Sequence, residues 1–426
     1  MAQCYVIFGY NFFYLILVPT QILIGPFRQL LPMTNLPLKG PLTDNQLQVL
    51  EEAAIVLDGD KIAAIGPYTL LRNKYPTVSL LEIKEDMVLL PGLIDCHTHI
   101  CFGGSRARDY ALRIAGTSYQ EILKQGGGIH DSVAKTRAAS LEELARATAK
   151  RANRHLQEGV TTLEVKSGYG LSVEEELKML RAVRMAAEQT AATLIPTCLA
   201  AHVKPKEAET ADAWLKEVLL YLLPVVKQEA LAERVDIFIE DEAFPARLSK
   251  GYLEAAKTAG FSITVHADQF SAQGVPVAVQ VGAHSADHLE SSTEANLLQL
   301  AASDTVAVAL PGASMGLGMD FTPARTLLDA GACLAIATDW NPGSAPMGDL
   351  LLQAAVMGAA QKLSTAETLA AITSRAAHAL RLQDRGQLAT GLQADMIAFD
   401  AADYREILYH QGKLKPAMVW KGGQKC

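Results

Sequence analysis

Eight short apolar runs, separated by helical patterns, constrain the fold of this chain more than any other feature of its sequence. Each run is almost continuously hydrophobic, which is typical of parallel strands that are covered on both faces. Ser140, Ser172 and Ser364 each precede a glutamate by three residues and are expected to cap helices between or after the runs. The runs occupy residues 87–99, 159–168, 193–202, 235–241, 262–268, 283–290, 305–312 and 333–340. Their number, with the length of the chain, favours a closed (β/α)8 barrel over an open sheet.

Short strand patterns also lie near both ends of the sequence, before and after the region of the eight runs. A turn is expected between two of them at Asp58-Gly59-Asp60. We therefore predict an α/β fold in which a TIM-type barrel carries a small β-sandwich domain built from both termini. The expected small domain comprises residues 23–88 and 386–426, the barrel comprises 89–385, and residues 1–22 form an unmatched apolar tail.

The apolar tail raises the question of a membrane anchor or a signal peptide, because no charged residue precedes Arg28. A spanning helix needs about 20 apolar residues, whereas Asn11, Pro19 and Gln21 interrupt this segment. No basic region precedes it, and no small-residue cleavage pattern follows it. We expect a β-strand or a poorly folding extension here, and no membrane partner.

Charge and cysteine usage narrow the class of protein further. With 46 acidic and 38 basic residues, the chain has a formal net charge of −8 and lacks the electrostatic signature of a nucleic-acid-binding protein. The six cysteines show no paired spacing, which favours a reducing cytoplasm over a disulfide scaffold.

The carboxyl ends of the predicted strands carry unusually many polar residues, and catalytic groups of such barrels lie at those ends. His97 and His99 are two residues apart and should face the same side of the first strand. His266 ends the fifth strand and Asp339 the eighth. Together these residues supply four nitrogen and oxygen donors of the kind that zinc or iron prefers. We predict a metal site formed by His97, His99, His266 and Asp339.

The other histidines divide into two groups. His202 and His288 also end strands, so that a role in the site is favoured over a role as buried structural histidines. The remaining five are expected to be structural or exposed: His130, His155, His284, His378 and His410.

Several longer motifs resemble the metal-dependent amidohydrolases. These motifs are LPGLIDCHTH, VHAD and ATDWNPGS in the predicted barrel, and GDKIAAIG and GLQADMIAFD in the terminal strands. Further segments narrow the resemblance to members that act in histidine degradation: FGGSRARDY, LKQGGGIHDSVAKTRAAS, EVKSGYGL and SADHLE. The resemblance covers roughly residues 23–421.

The resemblance implies a hydrolase with one zinc or iron ion per subunit. Its implied substrate is the small molecule 4-imidazolone-5-propanoate, whose ring is opened to N-formimidoyl-L-glutamate, and a homodimer is expected. The implied metal ligands are the four residues already named. Substrate or product contacts carried over by motif are Arg106, Tyr169, His202, Gln269, Asn341, Gly343 and Ser344.

The chemistry of a cyclic amide fits these residues. A bound metal lowers the pKa of water towards ~7 and polarises a carbonyl, and Asp339 could pass the water's proton to the departing nitrogen. His288 is the candidate for orienting that water or stabilising the developing oxyanion. Arg106, in a glycine-rich loop, suits the propanoate carboxylate, although a solvated loop charge is the alternative interpretation.

Two features distinguish this sequence from other amidohydrolases. The fourth strand ends in Glu240-Asp241 and has no bridging lysine, so one metal ion is expected. Deaminases of the superfamily have a glutamate three residues after the strand-five histidine, whereas Gln269 here has no titratable proton. Many relatives have glutamate at that position as well, which puts in doubt any mechanism that needs a carboxylate there.

Two alternatives to the implied activity stay open on the sequence alone. The same scaffold could hydrolyse another cyclic amide or amidine, which a panel of substrates would reveal. The chain could also be a metal-free, non-catalytic relative, and the presence of all four ligand types argues against this alternative.

Overall fold

The structure is a computed structural model that describes residues 21–426. Residues 1–20, which make up most of the predicted apolar tail, lie outside the described residues. Two eight-stranded sheets organise this part of the chain. One sheet is all-parallel and forms the barrel, and the other is mixed and contains strands from both ends of the chain. The predicted fold class is confirmed.

The barrel strands follow one another in sequence order, and each neighbouring pair is parallel. The strands are β6 (Leu93–Asp95), β7 (Val160–Lys166), β8 (Thr193–Ala201), β9 (Arg234–Ile237), β10 (Ser262–Ala267), β11 (Ser285–His288), β12 (Val306–Ala309) and β13 (Leu334–Ile336). Every residue of β7 is buried, as expected for a strand between a filled barrel interior and a layer of helices.

The barrel closes just beyond the ends of β6 and β13. Thr98 and Trp340 form an isolated parallel bridge there. The backbone N–H of Asp339 donates to the carbonyl of His97 at 3.0 Å, so the closure itself brings these two residues together. Beneath them, the Asp95 carboxylate accepts hydrogen bonds from Thr338 N (3.0 Å) and Thr338 Oγ1 (2.5 Å). The first and last strands are thus joined by side chains as well as by backbone.

Helices surround the barrel on its outer side. After β6 come α2 (Ala107–Ile114), α3 (Tyr119–Lys124), α4 (Ile129–Ala138) and α5 (Leu141–Gln157). The other strands are followed by α6 (Val173–Ala187), α7 (Ala211–Glu217), a π-helical turn (Val218–Leu222), α8 (Leu223–Gln228), α9 (Ala246–Thr258), α10 (Gly274–Val281), α11 (Glu294–Ala301), α12 (Pro311–Leu317), α13 (Ala324–Asp329), α14 (Leu350–Gln361), α15 (Thr365–Ala371) and α16 (Ser374–Ala379). In α5, residues at helical spacing, including Leu144, Thr148 and Ala152, are buried against the barrel.

The members of the second sheet are β1 (Gln21–Leu30), β2 (Leu50–Asp58), β3 (Lys61–Pro67), β4 (Ser79–Glu82), β5 (Met87–Pro91), β14 (Met396–Asp400), β15 (Met418–Lys421) and β16 (Gln424–Lys425). Their order across the sheet is β16-β15-β14-β5-β1-β2-β3, with β4 paired to β1. Lys61 bridges to Gln393, close to β14, so the sheet curls around an apolar core of its own. The remaining elements of the described chain are a 3-10 turn (Asp44–Gln46), α1 (Tyr68–Lys74) and α17 (Arg405–Tyr409).

The apolar run at residues 87–99, expected to be one barrel strand, contributes to both sheets. Its first part, β5, pairs with β1 and β14, and only β6 joins the barrel. Gly92 separates the two strands at a position where a Cβ atom would lie 2.3 Å from Thr161 Oγ1. The domain boundaries stay a prediction. No helix of the part of the chain that the structure describes is long and apolar enough to cross a membrane.

The expected caps are present, and two of the three are complete. Ser140 and Ser364 form capping boxes with Glu143 and Glu367, respectively. Ser172 accepts a hydrogen bond from the Glu175 backbone, but the Glu175 carboxylate pairs with Lys178 instead of returning to the cap.

The caps give a direct stability comparison. Ser364 Oγ accepts from Glu367 N at 3.0 Å and donates to the Leu42 carbonyl at 2.8 Å, so Ser364→Ala should destabilise the protein by about 1 kcal/mol or more. Ser172→Ala should destabilise the protein less, since Ser172 Oγ accepts a single hydrogen bond that is 3.3 Å long. Urea unfolding followed by circular dichroism measures both, and an equal or reversed order would contradict this account of the caps.

Candidate metal centre

Four predicted ligands meet at the carboxyl-terminal mouth of the barrel. His97 and His99 follow β6, His266 lies in β10, and Asp339 follows β13. All four side chains are almost completely buried. Because the strands are parallel, their carboxyl ends share one edge of the barrel, which is why residues more than 160 positions apart along the chain come together.

The donor atoms are spaced as ligands of a single ion. His99 Nε2 lies 3.2 Å from His97 Nε2, 3.3 Å from His266 Nε2 and 3.3 Å from Asp339 Oδ1. His97 Nε2 lies 3.6 Å from the same carboxylate oxygen. Ligands about 2.0–2.2 Å from a tetrahedral zinc ion are separated from one another by roughly 3.3–3.6 Å. The donor set therefore fits one metal ion.

The protonation of these groups also suits a metal. Burial lowers the pKa of His97, His99 and His266, so that the imidazoles are neutral and have a free lone pair. Burial raises the pKa of Asp339 to about 7. A buried carboxylate that is costly to ionise is stabilised as an anion by direct contact with a cation.

Two buried aspartates orient the metal-facing imidazoles from behind. Asp287 Oδ2 lies 2.6 Å from His97 Nδ1, and Asp236 Oδ2 lies 2.9 Å from His266 Nδ1. A carboxylate behind an imidazole fixes the tautomer in which Nε2 faces the metal. The aspartates thus direct two of the three nitrogen donors towards the centre.

A buried lysine holds these aspartates in turn. Lys166 Nζ lies 2.8 Å from Asp236 Oδ2, 2.7 Å from Glu164 Oε2 and 3.8 Å from Asp287 Oδ2. Although burial alone would lower it, Asp236 and Glu164 raise the pKa of Lys166, which stays charged. Against the effect of burial, His266 and Lys166 hold the pKa of Asp236 below its ordinary value.

Sequence reasoning missed Asp236 and Asp287 as parts of the site. The available signal was the presence of acidic residues inside otherwise apolar strands, in VDIFIED and SADHLE. A charge inside a strand that is buried on both faces needs a partner, but the sequence does not say which one.

His288 and Glu290 lie on the next part of the rim. The His288 ring centroid is 5.3 Å from that of His266 and 5.9 Å from that of His97. His288 Nδ1 lies 3.5 Å from Glu290 Oε2, and Glu290 Oε1 accepts from Ser314 Oγ at 3.0 Å. The backbone of His288 has a φ of 86°, which turns the chain sharply at the end of β11.

His202 and Tyr169 line the opposite side of the centre. The His202 ring stacks on that of His99, with centroids 5.3 Å apart, and Tyr169 lies 5.4 Å from His202. His202 Nδ1 is 3.1 Å from the Gly168 carbonyl, and burial lowers the pKa of His202 to about 3. The neutral ring therefore donates from Nδ1 and leaves the Nε2 lone pair free.

The loop that carries Tyr169 is held by a residue that the sequence analysis did not single out. The buried Glu176 carboxylate accepts backbone hydrogen bonds from Gly168 (2.9 Å), Gly170 (2.7 Å) and Leu171 (2.8 Å). Three donors on one carboxylate fix the loop around Tyr169.

Arg106 lies against the loop after β13. A Cβ atom on Gly343 would be 2.4 Å from Arg106 Nη1, so only glycine leaves room for the guanidinium there. Asn341 organises this loop from within, because its Oδ1 accepts from Gly343 N (2.7 Å) and Ser344 N (2.8 Å). Its Nδ2 donates to the Asp339 carbonyl and to Ser344 Oγ, so both ends of the Asn341 amide are already engaged.

Gln269 is buried just after β10, and its backbone carbonyl accepts a hydrogen bond from Ser291 Oγ at 2.9 Å. The neighbouring Asp268 accepts from Gly274 N and Asn296 Nδ2, both at 2.7 Å. Glu240, which follows β9, accepts a hydrogen bond from Phe270 N at 2.9 Å, so its carboxylate holds the loop that contains Gln269.

Comparison with known proteins identifies the family to which the chain belongs. The Amidohydrolase family profile matches residues 88–426. Among solved structures, a triazine hydrolase variant aligns with a TM-score of 0.74 at 18% identity, covering 95% of this chain and 94% of that one. A zinc-bound adenosine deaminase from Xanthomonas campestris aligns with a TM-score of 0.66, also at 18% identity, covering 95% and 92%. The chain belongs to the amidohydrolase family and is a hydrolase.

Relatives with higher sequence identity show to which group within the family the chain belongs. An imidazolonepropionase from Rubrobacter xylanophilus is 42% identical over 391 residues, which cover 90% of this chain and 94% of that protein. One from Bdellovibrio bacteriovorus is 39% identical over 389 residues, covering 90% and 91%. Within the amidohydrolases, the chain groups with the imidazolonepropionases.

The support of His97 by Asp287 can be tested through metal retention. Asp287→Asn removes the charge behind the imidazole at nearly constant volume and should weaken metal affinity about 10- to 100-fold. Competition with a chromogenic chelator measures the change, with Glu240→Gln as the control because Glu240 binds the Gln269 loop and no ligand histidine. Equal metal affinity of the Asp287→Asn and wild-type proteins would contradict the assigned role.

Proposed function

We propose that the chain hydrolyses 4-imidazolone-5-propanoate to N-formimidoyl-L-glutamate, with one zinc or iron ion held by His97, His99, His266 and Asp339. The observation that carries this proposal is the convergence of these four donors at the barrel mouth in a chain about 40% identical to imidazolonepropionases. A metal ion there would polarise the ring carbonyl and lower the pKa of a water molecule.

Asp339 is the proposed catalytic base. Its Oδ1 faces the ligand histidines, while Oδ2 lies 3.5 Å from Ser344 Oγ, on the side of the loop after β13. Oδ2 can therefore accept the proton of the attacking water and pass it to the ring nitrogen as the carbon–nitrogen bond breaks.

His288 is the proposed partner of the developing oxyanion. Its ring adjoins those of His266 and His97, and Glu290 lies behind its Nδ1. With Nδ1 and Nε2 both protonated, the ring can donate to an oxygen on which negative charge accumulates.

The substrate contacts surround this centre. Arg106 binds the propanoate carboxylate, while Tyr169 and His202 line the wall opposite His288. Gln269, Gly343 and Ser344 complete the proposed contacts. Asn341 contributes by shaping the loop that presents Gly343 and Ser344, since both ends of its amide are engaged there.

The buried cysteines bear on the cellular location proposed for the enzyme. Cys96, Cys101, Cys198 and Cys333 are buried and free, which supports a cytoplasmic location with reduced thiols. The homodimer stays a prediction, which light scattering after size exclusion would test.

Turnover with controlled metal content tests the proposed function. The purified chain loaded with zinc or iron should consume imidazolonepropanoate and release formimidoylglutamate, and chelation should abolish this activity until metal is restored. A loaded protein that turns over another cyclic amide, but not imidazolonepropanoate, would contradict the proposal.

Arg106→Ala tests the proposed carboxylate contact. The KM for imidazolonepropanoate should rise at least 10-fold with a smaller change in kcat, because the charged hydrogen bonds are made in both the ground state and the transition state. Steady-state kinetics measures both constants, and an unchanged KM would mean that Arg106 does not hold the propanoate.

A further inference from the structure

The glycine run Gly126–Gly128 and the first turn of α2 are joined by one carboxylate that the mechanism does not yet use. Asp109 Oδ2 accepts from Arg106 Nε at 2.9 Å and from the backbone N–H of Gly128 at 2.8 Å. The Asp109 side chain is only 12% exposed. One oxygen atom thus connects Arg106 to a loop about 20 residues further along the chain.

The glycine run has the geometry that this contact needs. Gly126 and Gly128 have φ angles of 80° and 78°, in the region that favours glycine. A Cβ atom on Gly127 would lie 2.5 Å from Asp109 Oδ1 and 2.6 Å from Ile122 Cγ2. The three glycines let the chain turn tightly around the Asp109 carboxylate.

The same contact lies on the side of the guanidinium that carries Nε. Asp109 engages the Nε edge of the guanidinium, and Nη1 lies against Gly343 in the loop after β13. Among the side chains and backbone that the structure describes, Asp109 Oδ2 is the hydrogen-bond partner found for the guanidinium, and it engages Nε rather than either Nη group. The Arg106 side chain is itself only 13% exposed, which limits the directions from which an anion can approach.

We infer that Asp109 is a positioning and specificity-determining residue, which fixes the Arg106 guanidinium so that its Nη groups bind the carboxylate of the substrate. The inference rests on the proposed function, because it takes Arg106 as the propanoate contact. Arginine is a long, flexible side chain, and holding it in its binding orientation before the ligand arrives removes part of the entropic cost of binding. Position 109 therefore favours ligands that carry a carboxylate.

A pair of ligands separates positioning from a merely structural role. Imidazole-4-propanoate carries the ring and the carboxylate, whereas 4-ethylimidazole lacks the carboxylate. In Asp109→Ala, binding of imidazole-4-propanoate to the metal-loaded protein, measured by calorimetry, should weaken about 10-fold, as expected when preorganisation of a charged hydrogen bond is lost. Binding of 4-ethylimidazole should change less than about 2-fold, because it makes no contact with Arg106.

Two further variants and a control refine the test. Asp109→Asn keeps an acceptor for Gly128 but loses the charge that holds the guanidinium. Its affinity for imidazole-4-propanoate should therefore lie between those of Asp109→Ala and the wild type. Asp109→Glu keeps the carboxylate and should restore most of the affinity. Asp329→Asn is the matched control, because Asp329 Oδ1 accepts from Arg325 Nε at 3.0 Å in an equivalent pair on α13, outside the site. It should leave both affinities unchanged.

The contradicting results are distinct from those for the proposed function. If Asp109→Ala and Asp109→Asn weakened the binding of both ligands equally, Asp109 would only maintain the loop. Unchanged or tighter binding of imidazole-4-propanoate would also overturn the inference. Turnover of imidazolonepropanoate by the wild-type chain is measured separately, so a failure of the proposed reaction is not confused with a failure of the Asp109 assignment.

Discussion

The buried charges beneath the barrel mouth are the interaction on which the rest of the site depends. When ionised, Glu164, Asp236, Asp287 and Asp339 provide four negative charges, against the positive charges of Lys166 and Arg234. Since isolated charges in a protein interior are very costly, this excess of buried negative charge favours a cation at the His97, His99 and His266 cluster.

The same charges explain how the fold and the chemistry are coupled. Lys166 is on β7, Asp236 on β9 and Asp287 on β11, so the ion pairs connect alternate strands across the barrel interior. Asp236 and Asp287 reach upwards to the imidazoles of His266 and His97. The strands therefore fix the directions of these two imidazoles, and the mouth loops are left to supply the proposed substrate contacts.

Those loops are held in a common manner, by carboxylates that accept backbone N–H groups. Glu176 holds the Tyr169 loop, Glu240 holds the Gln269 loop, and Asp109 holds the glycine run beside Arg106. Each carboxylate accepts hydrogen bonds from backbone N–H groups that do not pair within the turn itself. A rigid mouth of this kind suits the recognition of a small, anionic ring compound.

The sequence predicted the barrel and singled out the histidines that cluster at its mouth, His97, His99 and His266, because both depend on local patterns. Strands buried on both faces are nearly continuous in apolar residues, and polar residues at their ends stand out, as at His266. The partners of Asp236, Asp287 and Glu176 could not be predicted, because a buried acidic residue requires a partner without specifying one. The division of residues 87–99 between two sheets was also hidden, since both segments are equally apolar and the close contact at Gly92 depends on Thr161 of β7.

X-ray absorption spectroscopy of the metal-loaded protein, with elemental analysis of the same sample, tests the central claim most directly. The predicted result is one zinc or iron ion per chain, with imidazole nitrogen and carboxylate oxygen ligands at about 2.0–2.2 Å and no sulfur ligand. Two metal ions per chain, a sulfur ligand from a cysteine, or a spectrum unchanged by His266→Ala would contradict it.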